Sequence, residues 1–306
     1  MLEKVVITGS NGLLGQKLVK LFLQKPGYEV HALSRGPNRL DDKEGYHYYD
    51  IDLLDKAALE TILTQIIPDV IIHTAAMTNV DACELNQEEC DQMNIEVVAH
   101  ILDYCKGKNV YLVHLSTDFI FDGEKGNIYK EEDTAHPVNY YGLSKWKSEI
   151  MISESKVEHA ILRTILVYGL VDGNDRSNIV LWVKNSLEDK KEIRVVTDQL
   201  RMPTYAEDLA EACWLAVDSR AKGVFNVSSN ELMSIYEIAL AIADAFSLDK
   251  KLIHPVPTSA LNLPAKRPSS TGFDLNKSIT EINLPSHSFI DRLQVFKNQL
   301  TSNNAV

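Results

Sequence analysis

The first half of the chain alternates short apolar runs with longer amphipathic stretches. The runs are rich in Val and Ile and nearly continuous, which is typical of parallel strands buried on both faces. They lie at residues 5–8, 30–34, 70–73, 110–116 and 159–163. Between them, apolar residues recur at helical spacing, as at Leu14, Leu18 and Phe22. This order predicts an α/β fold, a doubly wound parallel Rossmann sheet.

Beyond residue 163 the alternation gives way to loops and longer helical patterns. These patterns lie at 178–187, 206–217 and 234–246, with one more strand pattern at 223–227. We predict a sheet domain at residues 1–163 and about 204–228. A smaller C-terminal lobe that binds the substrate is predicted at about 164–203 and 229–300, so that its segments alternate along the chain with those of the sheet domain. Residues 301–306 are predicted to form a polar tail.

Composition narrows the class of protein. The 306 residues are 45% hydrophobic and 24% charged, which excludes disordered, collagenous and coiled-coil chains. With 31 Lys and Arg against 43 Asp and Glu, the net charge of -12 disfavours nucleic acid and anionic membranes as partners. The four cysteines form no C-x-x-C pair and the histidines do not cluster at ligand spacing, so no disulfide framework or metal site is expected. With no signal-like or membrane-length apolar run, we predict a cytoplasmic location.

Three glycines follow the first predicted strand directly. Gly9, Gly12 and Gly15 stand where the first helix begins. Glycine permits a tight turn and lets backbone N–H groups approach a pyrophosphate, and the helix N-terminus adds partial positive charge. In this position the pattern predicts a dinucleotide site. Its expected contacts are Gly9, Asn11, Gly12, Leu13, Leu14 and Gly15.

The end of the second predicted strand suggests which dinucleotide binds. No acid stands there for a ribose 2′-hydroxyl; Ser34 and Arg35 offer a hydroxyl and a guanidinium suited to a 2′-phosphate. We therefore expect NADPH to be preferred over NADH. Asp52 and Leu53 lie between the strand patterns at 30–34 and 70–73, after the place where the next strand of such a sheet should end, and are candidates for the adenine edge, although a solvated loop acid is an equal alternative.

A phenol and an ammonium stand four residues apart at Tyr141 and Lys145, which places them on one face of a helix. A phenol with a pKa near ~10 is a poor acid at neutral pH, and a nearby cation lowers that pKa. Thr117 follows the strand pattern at 110–116, where its hydroxyl could polarise a substrate carbonyl. We predict that these three residues form the catalytic unit and that Lys145 also binds a ribose hydroxyl.

In combination, these motifs resemble the extended short-chain dehydrogenase/reductase superfamily, and particularly the dTDP-4-dehydrorhamnose reductase family. The matching segments are 8–15, 74–84, 116–123, 141–145, 163–169, 198–204 and 267–268. The resemblance implies a reductase that delivers hydride to the C4 ketone of a deoxy-sugar nucleotide while Tyr141 donates the proton. It adds Thr74, Ala75 and Ala76 to the cofactor site. The expected substrate contacts are Thr117, Asp118, Phe121, Asn178, Arg201 and Arg267, with the two arginines neutralising a diphosphate.

Other functions stay open. Met77, Leu166 and the segment 200–202 depart from the family's usual pattern. A related enzyme such as a nucleotide-sugar epimerase is one alternative, whereas a dehydratase is disfavoured because Phe119 leaves Asp118 without the second member of an acid–base pair. A non-catalytic regulatory subunit is another, since the family resembles the β subunit of methionine adenosyltransferase. The sequence also leaves a homodimer open.

Overall fold

The computed structural model describes residues 2–126, 128–173 and 178–303. Its strands are β1 Glu3–Thr8, β2 Tyr28–Ser34, β3 His47–Asp50, β4 Val70–His73, β5 Tyr111–Thr117, β6 Glu158–Thr164, β7 Val167–Tyr168, β8 Ile193–Val196, β9 Leu200–Arg201, β10 Thr204–Tyr205, β11 Gly223–Val227, β12 Met233–Ser234 and β13 Ile253–Val256.

The helices alternate with these strands through the first half of the chain. They are α1 Leu13–Gln24, α2 Lys56–Ile66, α3 Val80–Leu85, α4 Gln87–Asp91, α5 Val97–Cys105, α6 Tyr140–Glu154, α7 Ile179–Glu188, α8 Ala206–Asp218, α9 Ile235–Phe246, α10 Asn276–Glu281 and α11 Phe289–Asn303. A π-helix, Gln92–Glu96, joins α4 to α5, and a 3-10 helix, Asp118–Ile120, follows β5.

The central sheet has the order β11-β6-β5-β4-β1-β2-β3, and every pairing in it is parallel. The predicted α/β class with a doubly wound parallel sheet is therefore confirmed. The strand order reverses at β1, where Thr8 lies opposite Leu33 on one side and His73 on the other. In such sheets a crevice opens between the carboxyl ends of the two strands at the reversal, here β1 and β4.

Both faces of the sheet are covered. Val5 and Ile7 pack with α1 and α8, whereas Val6, which points the other way, packs with α2 and α5. Because neither face of the central strands meets water, these strands need no alternating polar residues, which is why they form continuous apolar runs in the sequence; the edge strand β3 is partly exposed.

The later segments form a third apolar cluster of their own. It joins α7, α9 and α11 to the parallel pair β8 and β13, with Val183, Ile242 and Phe296 fully buried. The predicted domain boundaries stay a prediction. Residues 301–303 belong to α11, and the remainder of the predicted tail, 304–306, lies outside the described residues. Across the described ranges, no helix combines the length and apolarity needed to cross a bilayer.

Candidate functional site

The turn between β1 and α1 requires glycine for steric reasons. Gly9 adopts φ +69°, and a Cβ there would lie 2.8 Å from Ala75 N. A Cβ on Gly15 would lie 2.2 Å from Gly9 O, so only glycine lets α1 pack this closely on the turn. Gly12 is the N-cap of α1 and brings no side chain to cap the helix. The first-turn N–H groups therefore suit a pyrophosphate at the crevice.

Other residues of the glycine motif act within the protein. Asn11 Nδ2 donates to Pro37 O at 3.0 Å and its Oδ1 accepts from Arg39 N at 3.0 Å, so this side chain anchors the loop after β2. Leu14 packs against the core beneath the sheet, and Leu13 lies beside Gly169. These contacts shape the turn, and the predicted cofactor contact of Asn11 stays a prediction.

The carboxyl end of β2 presents a cation to solvent. Ser34 ends the strand, and the Arg35 side chain is 79% exposed, with its Nη1 3.6 Å from Asp52 Oδ2. Asp50, which ends β3, accepts a hydrogen bond from Gly36 N at 2.7 Å. The Leu53 side chain is buried in the core with α2 and α5, and its adenine contact stays a prediction.

The loop after β4 is fixed to both neighbours of the crevice. Thr74 Oγ1 donates to Thr8 O at 2.7 Å, which joins the carboxyl ends of β4 and β1, and Ala75 and Ala76 follow, partly buried. Asn94, on the π-helix, accepts from Met77 N at 2.8 Å and donates to Ser144 Oγ at 2.9 Å. It therefore couples this loop to α6.

Sequence analysis missed Asn94. A π-turn inserts one residue into the helical register, so a pattern based on 3.6 residues per turn does not place it. The available signal was a single polar residue within an apolar helical stripe.

Helix α6 presents Tyr141 beside Thr117. Asn139 caps α6, and a Cβ on Gly142 would lie 2.0 Å from Phe119 O, so the helix packs directly on the segment after β5. Burial raises the pKa of Tyr141 above its ordinary value, and a hydrogen bond with Thr117 opposes this only partly. The expected lowering of this pKa by Lys145 stays a prediction.

Lys145 is buried and contacts a histidine. Its Nζ lies 3.1 Å from His114 Nε2, and burial lowers the pKa of Lys145 to about 8 despite the opposing charge of Glu149. The His114 ring stacks on that of His73 at 5.5 Å, and His73 Nδ1 lies 2.7 Å from Thr8 Oγ1. Burial lowers the pKa of both histidines, that of His73 to about 3, so both are neutral near pH 7. A buried polar row thus runs from Lys145 to β1.

A buried ion pair fastens α6 to the sheet. Arg163 Nη2 lies 2.7 Å from Glu149 Oε2, and both side chains are at most 3% exposed. Ser116 also donates to this carboxylate, and Arg163 Nη1 donates to Glu131 O at 2.9 Å. The pair fixes the helix that carries Tyr141 and Lys145 relative to the strands beneath it.

On the substrate side, the predicted charged residues bind each other. Arg201 is buried, and its Nη1 and Nη2 donate to Leu200 O and Pro268 O at 2.7 Å each. Its Nε lies 3.6 Å from Asp118 Oδ2, which also accepts from Thr271 Oγ1 at 2.5 Å. Burial raises the pKa of Asp118. The polar atoms of Arg201 and Asp118 are thus engaged within the protein, and their contact with a substrate stays a prediction.

Arg267 is also paired internally. It binds Asp81 through two hydrogen bonds, Nη1 to Oδ1 at 2.6 Å and Nη2 to Oδ2 at 2.7 Å, and holds the pKa of that carboxyl below its usual range. Phe121 is fully buried and stacks on Tyr129 at 4.1 Å, and its substrate contact stays a prediction. Asn178 caps α7 and donates to Gly169 O at 2.8 Å.

Comparison with known proteins supports one family. Residues 3–302 match the family described as RmlD substrate binding domain. The β subunit of methionine adenosyltransferase 2 from Pongo abelii is 32% identical over 280 residues, covering 90% of this chain and 81% of that protein. A dTDP-4-dehydrorhamnose reductase from Aggregatibacter actinomycetemcomitans is 30% identical over 287 residues, covering 90% and 92%.

A solved structure agrees over the whole chain. The dTDP-4-dehydrorhamnose reductase from Bacillus anthracis, crystallised in complex with NADP, superposes with a TM-score of 0.85 at 27% identity, covering 98% of this chain and 100% of that one. The predicted resemblance to this reductase family within the extended short-chain dehydrogenases/reductases is confirmed, and with it the prediction of an NAD(P)-dependent oxidoreductase family. The chain therefore belongs to the RmlD substrate binding domain family.

Proposed function

We propose that this protein is an NADPH-preferring reductase of a 4-keto deoxy-sugar nucleotide. The observation that carries the proposal is the position of Tyr141 beside Thr117, on the same helix as Lys145, whose Nζ contacts the polar row of His114 and His73 that runs to β1. The named relatives support the substrate class. The predicted domain division and cytoplasmic location belong to the same proposal.

The residues would divide the work by their chemistry. A bound nicotinamide would supply the hydride. Tyr141, whose raised pKa keeps it protonated at neutral pH, would donate its proton to the oxygen at C4. Thr117, whose one hydroxyl proton is donated to Asp118 Oδ1 at 3.0 Å, would turn that proton toward the same oxygen when substrate binds. Lys145, with a pKa of about 8, is mostly charged at pH 7 and would stabilise the phenolate left on Tyr141.

The preference for NADPH rests on the carboxyl ends of β2 and β3. Arg35 and Arg39 are exposed there, so a 2′-phosphate could reach a guanidinium with little loss of existing contacts. The nearest strand-end acid, Asp50, is engaged by Gly36 N. NADH, which lacks the phosphate, would gain nothing from either arginine.

The direct experiment is an oxidation assay. Purified protein is mixed with NADPH or NADH and a panel of sugar nucleotides that includes a dTDP-linked 4-keto-6-deoxyhexose, and nicotinamide absorbance is followed. Oxidation of NADPH with a 4-keto substrate is expected. Cofactor binding without oxidation of any 4-keto sugar nucleotide would contradict the proposal.

A second candidate function is a regulatory subunit of a methionine adenosyltransferase. It is favoured by the likeness to the Pongo abelii subunit and by the internal pairing of Arg201 and Arg267, which leaves their cationic groups engaged. Mixing the protein with a methionine adenosyltransferase catalytic subunit and measuring complex formation by size-exclusion chromatography tests it. Comigration together with a failed oxidation assay would favour this candidate; a homodimer would be visible in the same experiment.

A further inference from the structure

Three metal-ligating side chains meet at the outer edge of the sheet. Glu29 and His31 are two residues apart on β2 and share a face, and His47 lies directly opposite His31 on the edge strand β3. One ligand atom from each residue lies within 4.8 Å of the other two. Sequence spacing hid this group, because the two histidines come from different strands.

The distances suit a tetrahedral zinc site. Glu29 Oε1 lies 3.1 Å from His31 Nε2 and 3.5 Å from His47 Nε2. Ligand atoms bound to Zn²⁺ at about 2.0–2.1 Å are about 3.3 Å apart at tetrahedral angles. The two imidazoles stack at 4.9 Å, and His47, with its side chain 60% exposed, is free to rotate toward the ion.

His31 is prepared to be a ligand. Its Nε2 is buried and lies 3.1 Å from Glu29 Oε1, so both atoms can approach one ion. Its Nδ1 lies 3.3 Å from Tyr49 Oη, and a hydrogen bond donated from Nδ1 would leave the Nε2 lone pair for a metal.

The neighbouring charge does not block the site. Lys4, which lies opposite Glu29 on β1, donates its Nζ to Ile66 O at 2.9 Å. The Glu29 side chain is 33% exposed, so an ion has access from solvent and water could complete the coordination.

We propose that Glu29, His31 and His47 bind one Zn²⁺-class divalent cation that joins the edge strand β3 to β2. The site lies toward the amino ends of these strands, away from the crevice, so it would stabilise the sheet edge rather than take part in the reaction.

The test is a metal titration of the untagged, metal-free chain. Co²⁺ reports tetrahedral coordination by its visible absorption, and Zn²⁺ is then added in competition. We expect one equivalent of Co²⁺ to bind and Zn²⁺ to displace it. His47→Ala and Glu29→Gln, both at accessible side chains, should each weaken binding at least ~10-fold, as loss of one ligand of a three-ligand site does.

His254→Ala is the matched control. His254 Nε2 lies 3.1 Å from Glu192 Oε2, a similar pair, and in the part of the chain that the structure describes no third ligand joins it. Zn²⁺ should raise the thermal unfolding midpoint of the unmodified chain and of His254→Ala, but not of His47→Ala. Absence of stoichiometric binding, or equal affinity in His47→Ala and the unmodified chain, would overturn the proposal.

Discussion

The two sides of the crevice use their polar groups in opposite ways. On the cofactor side, α1 begins at Gly12 without a side-chain cap and Arg35 is 79% exposed. On the substrate side, Arg201 and Arg267 are held by carbonyl oxygens and carboxylates of the protein. The cofactor side therefore has hydrogen-bond donors available for an anion. On the substrate side, the cationic groups of Arg201 and Arg267 are bound within the protein and stabilise its loops.

This difference bears on how the substrate side would position Thr117. Thr117 Oγ1 donates to Asp118 Oδ1 at 3.0 Å and accepts from Phe119 N at 3.2 Å, while Asp118 is held by Arg201 and Thr271. The contacts of Asp118 with Arg201 and Thr271 therefore help to fix the position of the Thr117 hydroxyl, which is proposed to contact the substrate. Selectivity for a sugar nucleotide would then depend on the shape around Thr117 more than on captured phosphate charge.

The largest expected effect tests the chemistry where the two sides meet. Tyr141→Phe removes the transferable proton, so turnover of a 4-keto sugar nucleotide should fall by ~100 to 10,000-fold with cofactor affinity retained. Steady-state kinetics beside a cofactor titration measures it. Tyr140→Phe is the matched control, because its hydroxyl binds Asp91 at 2.9 Å instead. Near-normal turnover in Tyr141→Phe would remove this residue as proton donor.

The second prediction concerns the helix shared by both sides. Glu149→Gln leaves Arg163 buried without its counter-charge, which should lower the free energy of unfolding by about 3–5 kcal/mol. Denaturant unfolding measures it. Glu154→Gln, on the exposed face of the same helix, should change the free energy by no more than about 0.5 kcal/mol. Equal stability of the two variants would show that the ion pair does not fasten α6.

The cofactor side should respond through Arg35. If its guanidinium binds a 2′-phosphate, Arg35→Ala should weaken NADPH binding by ~10 to 100-fold and leave NADH binding unchanged. Dissociation constants for both cofactors, measured by fluorescence titration, give the answer. Equal affinities in the unmodified protein would end the assignment of NADPH preference.

Cofactor binding should also depend on pH through Lys145. Its pKa of about 8 means that the ammonium is present below pH 8 and lost above it. If a ribose hydroxyl needs the charged form, affinity should be constant from pH 6.5 to 7.5 and about tenfold weaker at pH 9. Lys145→Met should bind weakly with a flat profile, whereas Arg35→Ala should keep the slope. A flat profile in the unmodified chain would separate Lys145 from cofactor binding.

Sequence patterns predicted what is determined locally. The buried strands of the sheet were predicted correctly because strands buried on both faces do not alternate apolar and polar residues. The glycine turn could be predicted because the close approach of Gly15 to Gly9 O involves residues that are near each other in the sequence. Thr117, Tyr141 and Lys145 were found from spacing and strand-end position, and their assignment as a catalytic unit stays a prediction.

What could not be predicted depends on distant partners. Arg267 meets Asp81 from 186 residues away, and the contact of Lys145 with His114 joins a helix to a strand. The sequence does not show which residue an arginine contacts in the fold. It therefore cannot distinguish an arginine that is free to bind a diphosphate from one that is paired within the protein. The desolvation that raises the pKa of Tyr141 also depends on the fold and cannot be seen in the sequence.

The smallest expected effect tests whether the ion pair of Arg267 with Asp81 persists when substrate binds. To bind a diphosphate, Arg267 must first release Asp81, so the gain is offset by the lost ion pair. Arg267→Ala and Asp81→Asn should then each change KM for a sugar nucleotide by less than about threefold. The opposite result is a tenfold rise in KM for Arg267→Ala together with a lower KM for Asp81→Asn, because the Asp81→Asn change frees the Arg267 guanidinium. That pattern would show that the ion pair opens to take the substrate, and the contrast between the two sides of the crevice would hold only before substrate binds.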